Sequence, residues 1–123
     1  MIRVLITDDH RLVRAGFRRL LEDEPDMQVV GEAGSAQEAL DFVRSHSVDV
    51  VLLDISMPPG ETGLQVLPKL RKAVPDLCVL VVSMNSDRST SEHALKVGAR
   101  AYLTKDRAAE ELIGAIRKGW GGS

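Results

Sequence analysis

A doubly wound α/β domain built on a five-stranded parallel sheet is the fold this sequence predicts. Short, unbroken runs of β-branched and aliphatic residues recur along the chain, and segments of helical period separate them. At 123 residues and 44% hydrophobic content, the chain carries enough apolar material for one buried core. Unbroken apolar strands call for cover on both faces, which strict strand and helix alternation supplies through right-handed crossovers.

The strand runs fall at 2–6, 28–30, 48–53, 79–82 and 101–103. Between them lie apolar stripes of helical spacing. Val13, Gly16, Phe17, Leu20 and Leu21 form the first, and Ala36, Ala39, Leu40 and Val43 the second. Leu64, Leu67, Leu70 and Val74 form the third, and Leu112, Ile113 and Ile116 the last. Ser35 with Glu38 and Ser89 with Glu92 match the capping box and place two helix starts. Gly98 reads as a helix stop and Pro75 closes the third helix. Pro68 removes a helical hydrogen bond, so that helix is expected to begin near Gln65, with Pro68 in or just past its first turn. The segment 85–92 is polar and weakly periodic and reads as a solvated helix start. Residues 119–123 read as a linker stub or expression remnant without a fold role.

Composition excludes several functions. The single cysteine, Cys78, sits in an apolar run and reads as a core thiol, so no internal disulfide or cysteine zinc site can form. Sixteen basic against 18 acidic residues, a net charge of −2, is not the footprint of a nucleic-acid binder. One Trp, one Tyr and two Phe leave little for a base-stacking platform. The apolar stretches are too short to span a membrane and the start of the chain has no signal-peptide profile, so a cytoplasmic protein is expected. His10, His46 and His93 lack metal-ligand spacing and read as surface residues.

In open α/β sheets, ligands bind beyond the carboxyl ends of the strands, where the strand order reverses. The first strand ends on Asp8 and Asp9, the third on Asp54, the fourth on Ser83 and the fifth on Thr104 and Lys105. Three carboxylates in a partly buried crevice repel one another unless a cation shares the site. Oxygen donors without a Cys or His point to a hard ion, and magnesium suits them because it keeps positions open for phosphate oxygens. Lys105 adds a point charge. The pocket favours a phosphoryl group, with one carboxylate as nucleophile.

Asp8-Asp9, Asp54 followed by Met57-Pro58, Ser83 and Lys105 together resemble the signature of the receiver domains of two-component response regulators, over essentially the whole chain. The runs 9–16, 29–33 and 101–106 resemble the NarL/FixJ (LuxR-type) branch of that family. The resemblance implies a flavodoxin-like (CheY-like) fold with strand order 2-1-3-4-5 and five helices. The receiver would occupy residues 1–118, and the parent protein would carry a C-terminal helix-turn-helix DNA-binding domain.

By the same resemblance, Asp54 would take a phosphoryl group from a sensor histidine kinase. Asp9 would bind Mg2+ directly, Asp8 largely through water and Ser56 through its backbone carbonyl. Lys105 would pair with the phosphoryl group, Ser83 would hydrogen-bond to it, and Tyr102 would be the aromatic that turns inward on activation. A phosphorylation-dependent homodimer would follow, with DNA contacted only through the missing domain. Such a protein modifies itself and is not an enzyme with an external substrate.

The residues also admit plainer accounts. Asp8 and Asp9 suit N-caps of the helix beginning near His10, and Tyr102 suits a half-buried strand aromatic. One departure from the family pattern stands out: the glycine expected eight residues after the phosphoacceptor is here Gly63, nine after Asp54, so the intervening loop is one residue longer. Three rivals are weaker. An aspartate-nucleophile phosphohydrolase resembles Asp-x-Asp, and Asp54-Ile55-Ser56 lacks the second acid. An FMN-binding flavodoxin would want a hydroxyl-rich phosphate loop where Asp8-Asp9 stand. A phosphorylation-independent interaction module has no need of the intact acidic set.

Overall fold

The computed structural model describes residues 1–55, 63–84 and 87–121. Along the chain run β1 (Ile2–Thr7), α1 (Arg11–Glu22), β2 (Met27–Ala33), α2 (Ala36–Ser45) and β3 (Val50–Asp54). They are followed by α3 (Gly63–Ala73), β4 (Cys78–Ser83), α4 (Arg88–Lys96), β5 (Ala101–Thr104) and α5 (Lys105–Gly121). The strands pair in parallel in the order β2-β1-β3-β4-β5, the flavodoxin-like (CheY-like) arrangement.

Alternate strand residues enter two separate apolar layers, because successive side chains of a strand point to opposite faces. Leu5, Val51, Leu53, Val79 and Val81 meet Leu40 of α2 and Leu67 and Leu70 of α3. Val4, Ile6, Val50, Leu52 and Leu80 meet Leu21 of α1 and Leu112 and Ile116 of α5. Burial on both faces explains the unbroken apolar runs, and each such side chain contributes about 1.5–3 kcal/mol. Cys78 belongs to the second layer, and burial pushes its thiol pKa up. Among the described residues, no helix is long and apolar enough to cross a membrane.

Several helix ends differ from expectation. Ser35 caps α2 as predicted, accepting from the Glu38 N–H at 3.2 Å, while the Glu38 carboxylate accepts from Gly34 N at 2.6 Å instead of from Ser35. Ser89 does not cap α4. Asp87 does, accepting from both the backbone N–H and the hydroxyl of Ser89, because a carboxylate two residues earlier is the stronger acceptor. Glu92 pairs with Arg88 one turn back.

Helix α3 begins at Gly63, ahead of Gln65, so Pro68 lies in its second turn. The proline ring faces solvent while Val66, Leu67 and Leu70 are buried, and that burial offsets the missing hydrogen bond. Gly98 ends α4 with φ +122°, a conformation side chains rarely adopt. The stretch from 119 does have a fold role: α5 continues to Gly121, and Gly119 is buried where a Cβ would come within 2.8 Å of Cys78 Sγ. Only a residue without a side chain lets α5 lie this close to β4.

Candidate functional site

β1 lies between β2 and β3, so chain crossovers leave the sheet in opposite directions around β1 and β3 and open a crevice beyond their carboxyl ends. Asp8 follows β1 and Asp54 closes β3, and they are only 1% and 3% exposed. Lys105 opens α5 directly after β5. Its Nζ lies 2.8 Å from Asp8 Oδ2 and 3.1 Å from Asp54 Oδ2, spanning the two buried acids. Asp9 completes the group: one ligand atom from each of Asp8, Asp9, His10 and Asp54 falls within 4.8 Å of all the others.

The turn from β1 into α1 shapes this cluster. Asp8 Oδ1 accepts from the backbone N–H of His10 at 2.8 Å, and His10 itself occupies the N-cap position without a side-chain cap. Asp8 therefore serves as both a turn-former and a member of the acidic cluster. Sequence reasoning missed His10. Its Nδ1 lies 3.1 Å from Asp8 Oδ1 and 2.9 Å from Asp9 Oδ1. The available signal was its place directly after two acids. Judging the three histidines by their distance from one another concealed it.

Electrostatics tie the lysine to the acids. Burial pushes the Asp8 carboxyl upward, but the hydrogen bonds and charge of Lys105 and the His10 N–H more than offset that, leaving its pKa below the ordinary value. Burial likewise lowers Lys105, and the two carboxylates outweigh it and raise its pKa. Three acids against one amine still leave negative charge in a crevice of hard oxygen donors. The three carboxylates of the set fit a divalent ion such as magnesium, with His10 beside them as a nitrogen neighbour.

Ser83 ends β4, fully buried, in register with Thr104 of β5. Tyr102, in register with Val81, is half-buried and packs on the α2–α3 layer, while its neighbour Leu103 enters the opposite one. Ser83 thus lies at the same carboxyl edge of the sheet as the acids, while Tyr102 sits two residues before the end of β5. Ser56 and the longer loop before Gly63 lie outside the described residues.

The response regulator receiver domain model matches residues 4–117. The chain is 40% identical over 122 residues to the response regulator UvrY of Escherichia coli, covering 99% of this chain and 56% of that protein. The chain thus spans little more than half the length of this relative. The crystal structure of a LuxR-family two-component response regulator from Aurantimonas superposes with a TM-score of 0.91 at 33% identity, over 98% of this chain and 85% of the other. RcsB of Salmonella enterica, solved bound to a promoter in the presence of the phosphomimetic BeF3−, superposes with a TM-score of 0.85 at 26% identity, over 94% and 66% of the chains. The cluster at the strand ends and a match over nearly every residue lead to one assignment: the chain belongs to the receiver domains of two-component response regulators, in their NarL/FixJ (LuxR-type) branch.

Proposed function

We propose that this receiver, acting in the cytoplasm, accepts a phosphoryl group on Asp54 from the phosphohistidine of a sensor histidine kinase. The observation that carries the reading is Lys105 Nζ standing within 3.1 Å of two buried carboxylates, Asp8 and Asp54, beside a third. An Asp54 carboxylate oxygen forms the new P–O bond as the P–N bond to the kinase histidine breaks, and the departing imidazole keeps the electron pair. Asp8, Asp9, Asp54 and the Ser56 carbonyl would hold magnesium. When bound, the ion supplies positive charge that offsets the clustered acids and the transferring oxygens. Lys105 exchanges its carboxylate partners for phosphoryl oxygens, and the Ser83 hydroxyl donates to another.

The phosphoryl group brings about −1.5 to −2 charges while the Asp54 carboxylate gives up its own −1 on forming the bond, so the site gains at most about one negative charge, and its new oxygens require donors. Ser83 drawn toward them vacates space that Tyr102 occupies, which reshapes the face of α4, β5 and α5 and favours a homodimer. Dimerisation would in turn switch a helix-turn-helix domain attached beyond α5 of the receiver. The promoter-bound, phosphomimetic state of RcsB supports transcription as the output.

The experiment is to incubate the protein with magnesium and acetyl phosphate, or with a partner kinase, and then weigh it. One added phosphate, absent in Asp54→Asn, is expected. No uptake from any small donor or kinase overturns the reading. Gel filtration of the phosphorylated form should show concentration-dependent dimer; identical elution with and without phosphate overturns the dimer step.

A further inference from the structure

Arg14 reaches from α1 back to the loop that carries the acids. Its Nη1 donates to the backbone carbonyl of Asp8, and its Nε donates to Glu32 Oε1 at 3.0 Å. The side chain is 17% exposed, well covered for a surface-helix arginine. Glu32, in β2, also accepts from Arg18 Nε at 2.7 Å, so the platform on which Arg14 stands is held from a second side. The Asp8 N–H donates to the Ala33 carbonyl at 3.0 Å. Pairing of β1 with β2 ends at Thr7 and Ala33, which leaves the Asp8 carbonyl past the end of the ladder, where the guanidinium takes it.

A peptide unit is planar, so holding the Asp8 carbonyl sets the orientation of the whole Asp8–Asp9 link and the direction in which both side chains leave it. We propose that Arg14, standing on Glu32, is a positioning residue that aims the Asp8 and Asp9 carboxylates at the magnesium ion. The inference rests on the metal-dependent reading above. Groups that orient metal ligands from behind typically change affinity by about 10–100-fold when removed. Charge alone makes the opposite prediction: deleting a cation near an acidic cluster should tighten binding of a dication. The sign of the effect therefore separates positioning from electrostatics.

The test is titration calorimetry of Mg2+ into the full chain, with thermal unfolding of the metal-free proteins measured alongside. Arg14→Ala should weaken Mg2+ about tenfold or more, and phosphoryl uptake should return when Mg2+ is raised. Glu32→Ala should weaken it in the same direction, and the double variant should be no worse than Arg14→Ala, since both act through one clamp. Arg117→Ala breaks a comparable arginine clamp to Glu24 and Asp26, far from the acids, and should leave Mg2+ binding unchanged. Unchanged or tighter Mg2+ binding by Arg14→Ala overturns the inference while leaving the receiver reading intact. Failure of the unsubstituted protein to bind Mg2+ overturns both. If Arg14→Ala does not fold, Arg14→Met, which keeps the apolar stem and also deletes the cation, decides by the same sign of effect.

Discussion

At the amino edge of the sheet, Asp49 is matched to one arginine; at the carboxyl edge, Asp8 and Asp54 share one lysine with Asp9 close by. The Arg3 guanidinium meets Asp49 through Nε at 3.0 Å and Nη2 at 2.9 Å, and the Arg3 backbone N–H adds a third bond at 2.9 Å. That pair closes on itself: one charge answers one charge, and both carboxylate oxygens are engaged. The carboxyl edge stays open, with more acid than base, and an open charge is what a cation or a phosphoryl group can complete. Burial of a carboxylate does not by itself mark function in this fold. Imbalance does.

The largest expected effect comes from removing the shared lysine. Lys105→Ala leaves two buried acids uncompensated and should destabilise the magnesium-free protein by about 3–5 kcal/mol in urea unfolding, with part recovered on adding magnesium. No recovery would mean the carboxyl edge is as closed as the amino edge. Asp49→Ala should cost less, about 1–3 kcal/mol, because the half-exposed Arg3 can turn to water, and magnesium should restore none of it.

The smallest effects appear in pH dependence. Burial raises and Arg3 more strongly lowers the Asp49 pKa, and the Asp8 pKa is also lowered, so both edges add stability above the ordinary carboxylate pKa of 3.8. Both lose it as pH falls through the lowered values. The alkaline side separates them. Lys105 has a raised pKa, so its contribution is complete below the ordinary 10.5 and is lost as pH rises through the elevated value. Unfolding midpoints between pH 10 and 12 should therefore fall more steeply in the unsubstituted protein than in Lys105→Ala, and Asp49→Ala should leave that slope unchanged.

Much of this was legible in the sequence because strand ends are legible. A buried parallel strand must be apolar throughout, so the first charged residues after each run mark its carboxyl end, and topology carries them to one edge. Asp8, Asp9, Asp54, Ser83 and Lys105 were found that way, before any distance was known. The misses share another cause. Asp87 displaced Ser89 as a cap, α3 starts two residues early at Gly63, and Gly119 was drawn under Cys78. In each case a local rule yielded to a nearby stronger acceptor or to packing by residues distant in the chain.

Strand and helix alternation, the identity of the acidic set and the family depend on period and order along the chain, so they can be read from the residues. The matching of the charges arises in the folded packing. That Lys105 bridges Asp8 and Asp54, that His10 borders the acids, and that Arg14 grips the Asp8 carbonyl from a platform in β2 follow from the packing of α1, β2 and α5 around the strand ends. Coulomb and hydrogen-bond energies depend on distances of a few ångströms, and those are set between elements that the sequence keeps far apart.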